Sequence, residues 1–190
     1  MTFEKPSLEE LRQMCSETPK YRHLTARYCL LADGTPGCGV DIASQGCAVA
    51  PWAMGFDLPK DEFDHYCSNQ PAKGPVQLRG HAEHLPFDDN SLDFVYSSHL
   101  LEDFLEWEPI LTEWVRALKP GGHLIILVPD KELWAAALDR GQPPNCAHKH
   151  ESRAGELTEY AAKLNLEVIE DRLTQEFEGD YTVLFVAKKR

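Results

Sequence analysis

The strongest constraint on how this chain can fold is a repeated change of hydrophobic period along it. Short apolar runs bounded by turn-forming residues alternate with stretches whose apolar residues recur at helical spacing. The clearest run, His123-Leu124-Ile125-Ile126-Leu127-Val128, is apolar at successive positions, as in a strand covered by helices on both faces of a parallel sheet. Gly39-Val40-Asp41-Ile42 and Ala53-Met54-Gly55-Phe56-Asp57 are shorter segments of the same kind, each with an aspartate at or near its end. Residues 76–78 and 92–97 are expected to add two strands. Residues 166–172 and 181–187, joined by a Glu/Gly/Asp-rich turn, are expected to close the sheet as an antiparallel hairpin.

Helices are predicted over residues 20–31, 100–105, 108–118, 131–138 and 154–164. Ser7 followed by Glu10 reads as a capping box opening a further amphipathic helix through Leu8, Leu11 and Met14. Lys119-Pro120-Gly121-Gly122 stands just past the end of one predicted helix, where proline and glycine act as a stop. Alternation of this kind gives an α/β fold with a doubly wound, mostly parallel sheet, whose ligand sits beyond the carboxyl ends of the strands at the topological switch point.

At 190 residues and 43% hydrophobic, the chain can bury one sizeable core and is too short for two typical domains. A single domain over residues 1–190 is expected, with residues 1–32 as an N-terminal helical cap. The formal net charge is −12, from 31 acidic and 19 basic residues. A surface tracking a phosphate backbone would have to work against that field, so nucleic acid is not an expected partner. The basic clusters at Lys20, Arg22, His23 and Arg27 and at Lys188, Lys189 and Arg190 read as solvated faces.

Six scattered cysteines without a signal peptide fit a reducing cytoplasm. The longest apolar run, Leu124 to Val128, is far below the roughly 20 residues of a membrane span, so no membrane is expected as partner. Cys146-Ala147-His148-Lys149-His150 carries zinc-type ligand atoms but no clear fourth ligand, and reads as a surface loop; no metal is expected. A homodimer stays open.

Three loops at the predicted strand ends carry acidic or small polar residues. The first is Asp41-Ile42-Ala43-Ser44-Gln45-Gly46-Cys47. Asp57 ends the second strand, where a carboxylate can accept hydrogen bonds from both ribose hydroxyls of an adenosine. The third, Gly80-His81-Ala82-Glu83-His84-Leu85-Pro86-Phe87, can present a backbone N–H and a side chain to an adenine edge.

The segment from Arg79 through Leu85-Pro86-Phe87, Ser91-Leu92-Asp93-Phe94-Val95 and Leu101-Glu102, followed by Leu118-Lys119-Pro120-Gly121-Gly122, resembles the class I S-adenosylmethionine-dependent methyltransferases. It looks like their Gly-Asp-Ala-x-x-Leu-Pro-Phe…Ser-Phe-Asp-x-Val…Leu-Glu-His segment and Leu-Lys-Pro-Gly-Gly turn, in order and at that spacing. The resemblance implies a Rossmann-like fold, S-adenosylmethionine as cofactor, and transfer of its methyl group to a small-molecule or sugar-type acceptor. It implies that Asp41 anchors the first loop, that Ala43, Ser44 and Gly46 line the cofactor, and that Asp57 holds the ribose. His81, Ala82 and Glu83 would surround the adenine, with Ser97 and Ser98 under the methionine end. It covers residues 39–130 well.

The sequence departs from the family at several positions. Ala43 and Gln45 replace glycines of Asp-x-Gly-x-Gly-x-Gly, His81 replaces an aspartate, and Asp103 stands where a histidine commonly follows Leu-Glu. A β-carbon at positive φ costs about 1 kcal/mol or more, so the expected alternative is a catalytically inactive binding or scaffolding protein of the same fold. The crossover between the first two strands, with Pro51 in it, is close to the minimum length for a parallel connection and is expected to lack its helix. An acceptor that carries a proton needs a base, and His99 and His148 are the candidates, since the ordinary imidazole range suits that work.

Overall fold

The computed structural model describes residues 22–66, 72–153 and 155–190. Its centre is a seven-stranded sheet of β1 (Gly39–Ile42), β2 (Met54–Asp57), β3 (Leu78–Arg79), β4 (Leu92–Ser98), β5 (Leu118–Pro129), β6 (Leu166–Leu173) and β7 (Thr182–Lys189), in the order β3-β2-β1-β4-β5-β7-β6. The pairs β1–β2, β2–β3, β1–β4 and β4–β5 are parallel, while β7 runs antiparallel to both β5 and β6. The order reverses between β1 and β4, so the switch point lies there, as the alternating pattern predicts.

Burial follows the two-residue period of the strands. Leu124, Ile126 and Val128 of β5 face one side of the sheet together with Val95, Phe185 and Trp114. Ile125 and Leu127 face the other with Phe94, Tyr96, Leu184 and Val186. The first face is covered by α3 (Trp107–Ala117), which buries Ile110, Leu111, Trp114 and Val115, and by α5 (Glu156–Ala161). The second is covered by Ala26, Cys29 and Leu30, next to the short α1 (Arg22–Thr25), and by Val49 and Ala50 of the β1–β2 crossover. Residues 43–53 form turns without a helix, as the crossover length predicts. The remaining helices are α2 (Lys60–Tyr66) and α4 (Lys131–Asp139).

The differences from expectation have local causes. Helix α2 has no predicted counterpart, because its sequence Lys-Asp-Glu-Phe-Asp-His-Tyr has no run of apolar residues at helical spacing, and Phe63 is the buried core residue among its described side chains. Residues 100–105 were expected to be helical, yet only Leu101–Asp103 form a 3-10 turn. The predicted helix over residues 20–31 is confined, from Arg22 on, to α1 and a 3-10 turn over Ala26–Cys29; Lys20 and the helix opened by Ser7 lie outside the described residues. The Lys119-Pro120-Gly121-Gly122 turn belongs to β5 as a bulge. Leu92 pairs with Leu118 and Phe94 with His123, and Gly121 takes φ 84 to make the excursion.

Two contacts hold the site end and the far end of the sheet. At the site end, Gly46 has φ 73, and a β-carbon there would lie 2.0 Å from the carbonyl oxygen of Gly74. The backbones of the β1 loop and the β3 approach touch there, joined by the Lys73 N–H donating to Gln45 O at 2.8 Å. At the far end, Lys189 Nζ donates to the carbonyls of Val115 (2.7 Å) and Leu118 (2.8 Å) and to Asn90 Oδ1 (2.9 Å). A cation thereby sits at the C-terminal end of α3, adding to the Leu118 N–H that the Val115 carbonyl already accepts. In urea unfolding, Gly46→Ala is expected to cost about 2 kcal/mol or more and Lys189→Met about 1–2 kcal/mol. A Gly46→Ala midpoint equal to wild type contradicts the close approach.

Candidate cofactor and acceptor site

The site is built on the loops that leave β1, β2, β3 and β4 at their carboxyl ends. After β1 the chain must turn within a short crossover, and it does so in left-handed backbone, with φ 62 at Ala43, 51 at Gln45 and 73 at Gly46. The alanine and the glutamine therefore follow a path that favours glycine. The N–H groups of Ala43 and Ser44 donate to Phe56 O at 2.9 and 3.3 Å, tying the loop to β2. The Gln45 N–H donates to Asp57 Oδ2 at 2.7 Å.

A cavity of about 220 Å³ opens in this crevice. Ala43, Gln45, Asp57, His81, Ala82, Glu83, Ser98 and His99 line it, with Leu58, Leu100 and Phe104 as apolar walls. Of the expected cofactor residues, six are thus brought together: Ala43, Asp57, His81, Ala82, Glu83 and Ser98. The other four support from behind. Asp41 is fully buried and accepts the Val49 N–H on Oδ2 at 2.6 Å, bracing the crossover. Ser44 is buried and its Oγ accepts the Gly46 N–H at 3.3 Å. Gly46 packs on Gly74. Ser97 is buried and its Oγ donates to Ile42 O at 3.4 Å.

Asp57 combines burial with two backbone donors, Gln45 N–H on one oxygen and Leu58 N–H on the other at 3.3 Å. Burial holds its carboxyl above the usual carboxylate range, against the pull of those donors and of the Arg79 charge. Each oxygen of an ionised carboxylate retains a further lone pair for a hydroxyl. The His81 ring is exposed, with Nε2 3.6 Å from Glu62 Oε1 on α2. The loop carrying His81 to Glu83 is fixed by α3. Trp114 Nε1 donates to Ala82 O at 2.9 Å, and Glu113 Oε1 accepts the Leu85 N–H at 2.8 Å while pairing with Arg116. Trp52 is turned to the other face of the sheet, donating to Cys29 O at 3.2 Å, and does not enter the cavity.

The two candidate bases meet at a residue not singled out from sequence. His99, held at φ 54, places Nδ1 3.3 Å from Oε1 of Glu102 and Nε2 3.3 Å from Thr182 Oγ1. His148 comes from the loop after α4 and places Nε2 3.7 Å from the same Oε1. Glu102 has no exposed surface, and its backbone carbonyl accepts the N–H groups of Lys149 and His150 at 2.8 and 2.9 Å. Its signal in the sequence was the Leu-Glu pair three residues past His99. Among the described residues no group of three His, Cys, Asp or Glu side chains could hold a metal ion; His150 pairs with Glu156 instead, at 3.1 Å.

His99 also lines a cleft of about 800 Å³ bounded by Trp134, Pro143, Pro144, Asn145, His148 and Tyr181. The inner cavity and the outer cleft thus share His99 as a lining residue. Another hollow of about 630 Å³, beside His123 and Lys188, lies at the opposite rim, where ligands of doubly wound sheets do not sit. No helix among the described residues is long and apolar enough to cross a membrane.

Comparison with known proteins agrees with this architecture. The family described as "Methyltransferase domain" matches residues 35–126. A probable S-adenosylmethionine-dependent methyltransferase of Mycolicibacterium smegmatis is 30% identical over 138 residues, covering 72% of this chain and 50% of that protein. The chain spans about half the length of the curated relatives it matches first. Among solved structures, a S-adenosylmethionine-dependent methyltransferase of Thermotoga maritima, described as a possible histamine N-methyltransferase, superposes with a TM-score of 0.64 at 22% identity, over 96% of this chain and 95% of that one. A methyltransferase of Haloferax volcanii solved with the Trm112 activator gives 0.60 at 18% identity, over 80% and 82%. Strand order, motif order and these matches agree: the chain has the fold of the class I S-adenosylmethionine-dependent methyltransferases and is similar to them in sequence, over residues 35–126 by the family match.

Proposed function

We propose that the protein transfers a methyl group from S-adenosylmethionine to a small-molecule acceptor, with the inner cavity as cofactor site and the outer cleft as acceptor site. The observation that carries this reading is the shared wall: one residue, His99, lines both spaces. The donor set fits the cofactor. Asp57 offers carboxylate lone pairs to ribose hydroxyls, Leu58, Leu100 and Phe104 offer apolar surface to a purine, and His81, Ala82 and Glu83 border the same space. The cavity is small for a ligand site, and His99 lines both it and the outer cleft. When bound, S-adenosylmethionine supplies an electrophilic methyl group on a sulfonium.

The chain's own contribution is then alignment, exclusion of water and removal of a proton. Ser98 and His99 line the inner cavity and His99 the outer cleft, and rigid positioning of an acceptor beside them supplies most of the rate. His99 and His148 are the bases for an acceptor that carries a proton. Side chains of Gln45 or Trp52 filling the space beside Asp57 would favour an inactive scaffold. Gln45 and Ala43 leave the space beside Asp57 open, and Trp52 lies elsewhere.

Calorimetry is expected to detect S-adenosylmethionine and its demethylated product, with Kd in the micromolar range; absence of heat from either at millimolar concentration sinks the proposal. The raised Asp57 carboxyl generates a second expectation. A carboxyl raised on folding stabilises the fold while protonated, and that contribution is lost as pH climbs through the raised value. Ionised Asp57 is therefore held against stability, at the service of a ligand. At pH 8, Asp57→Asn should leave the thermal midpoint of the ligand-free protein unchanged or higher, while weakening binding of the demethylated cofactor about tenfold or more. Binding to wild type should itself weaken as pH falls through the raised value, and the variant should lose that dependence. A lowered midpoint with unchanged affinity would make Asp57 a structural residue.

A further inference from the structure

The loop after α4 and the β6–β7 turn enclose a second hollow beside the outer cleft, of about 390 Å³, to which Arg140, Glu178 and Gly179 contribute. The hollow and the cleft share His99, Gln142 and Tyr181 as lining residues, and His99 also lines the inner cavity. On α4, Trp134 lines the cleft while Ala137 and Arg140 line the hollow. Residues three apart on a helix are surface neighbours, so one side of α4 serves both spaces.

That side carries hydrogen-bond donors without acceptors. Trp134 is only 8% exposed, packed by His148 at 5.1 Å and by Tyr181 at 4.9 Å between ring centroids. Its indole N–H donates to no atom of the described protein, yet Nε1 is not one of the unpaired atoms sealed from solvent. The donor therefore opens onto the cleft that the residue lines. Arg140 is the C-cap of α4, its backbone N–H bound to the carbonyls of Ala136 and Ala137 at 3.3 and 3.1 Å. Its guanidinium lies against the β6–β7 turn, where a β-carbon at Gly179 would stand 3.5 Å from Nη2. Among the described residues this guanidinium has no ion pair and no side-chain hydrogen bond, although Glu178 lines the same hollow. The Asp180 carboxylate is engaged within the turn, by Thr174 Oγ1 and by the N–H groups of Glu176 and Thr182. Asn145, at the cleft, gives its amide oxygen to the Ala147 N–H at 3.0 Å, which leaves its NH2 as the open end.

Resting on the methyltransferase reading above, we propose that the acceptor carries a carboxylate and that Arg140 is the specificity-determining residue that receives it, with the N–H groups of Trp134 and Asn145 as further donors to the same ligand. Indole and guanidinium donate and never accept, so a ligand that meets both must be rich in lone pairs. A carboxylate offers about four lone-pair sites and matches the guanidinium fork with two parallel hydrogen bonds. An ammonium would gain from Glu178, but it would stand beside the Arg140 charge and leave the Trp134 donor unmet. The body of the ligand is apolar, since Trp134, Tyr181, Pro143 and Pro144 wall the cleft. The net charge of −12 opposes the approach of any anion, so the selection is made at contact rather than by long-range steering. An arginine at a helix C-terminus also complements the helix dipole, but that role affects stability and not ligand preference.

The test reads binding and needs no methyl transfer. The full chain, with and without the demethylated cofactor, is titrated with 3-phenylpropanoate, 3-phenylpropanamide or 3-phenylpropylamine, which share a body and differ in the polar end. The Trp134 indole cross-peak in nitrogen-correlated NMR, assigned through its own side-chain correlations, reports occupancy of the cleft. The propanoate is expected to shift it saturably and to bind at least tenfold more tightly than the amide or the amine. Arg140→Gln should remove about tenfold or more of that affinity while leaving binding of the amide unchanged, with Arg140→Lys in between. Binding of the amide or the amine as tight as that of the propanoate overturns the proposal. So does a carboxylate preference that survives Arg140→Gln, or a Trp134 cross-peak unmoved by the propanoate at tens of millimolar. Failure of the demethylated cofactor to bind counts instead against the methyltransferase reading, because the carboxylate preference is read equally in its absence.

Discussion

The crossover between β1 and β2 is the constraint from which the site follows. β1 pairs in parallel with β2 on one side and β4 on the other, Asp41 lying opposite both Gly55 and Tyr96. The chain must leave β1 at one end of the sheet and re-enter β2 at the other through residues 43–53 alone. A helix does not fit in that length, so the direction change is made by left-handed backbone at Ala43, Gln45 and Gly46. Val49 and Ala50 then take the place of a helix in covering the second face of the sheet. Asp41 belongs to this same device: its carboxylate is spent on the Val49 N–H, which holds the descending chain against the strand it has just left.

This changes the meaning of the lost glycines. In a loop that needs positive φ, alanine and glutamine are strained by about 1 kcal/mol each, yet they also have fewer conformations to lose on folding than glycine. The loop keeps its course because its neighbours determine it, through the Phe56 carbonyl, the Asp57 carboxylate and the Gly74 backbone. The cost falls on space, since the side chains of Ala43 and Gln45 now border the cavity.

Much of the fold was legible because it rests on period. The buried runs of β1, β2, β4 and β5, the helices α3 and α4, and the antiparallel closing strands announce themselves through apolar spacing and through glycine and proline at boundaries. What escaped is of another kind. The sequence of helix α2 is too rich in charged residues to leave an apolar stripe, and the Lys119–Gly122 excursion reads as a stop although its strand begins before it. At the site, Asp57, His81 and Ser98 could be placed because they stand at strand ends. Asp41, Ser44 and Ser97 stand there too, but side-chain direction, which a linear pattern does not carry, sends them into the protein. Glu102 depends on two loops meeting across 46 positions of sequence, the separation of residues 102 and 148, and no local spacing encodes that meeting.

The position of β7 has a bearing on how the molecule is assembled. Strand β6 is made before β7 and, among the described residues, pairs with β7 alone, because β7 inserts between it and β5. Until residues 182–189 arrive, β6 has no template, and the edge of β5 stands open with its apolar side chains unmated. Completion of the sheet is therefore a late, non-local event, and such pairing is slow because loop closure precedes its reward. During that interval the nascent chain exposes an adhesive strand edge, so conditions that delay β7 should favour aggregation over a stable truncated intermediate.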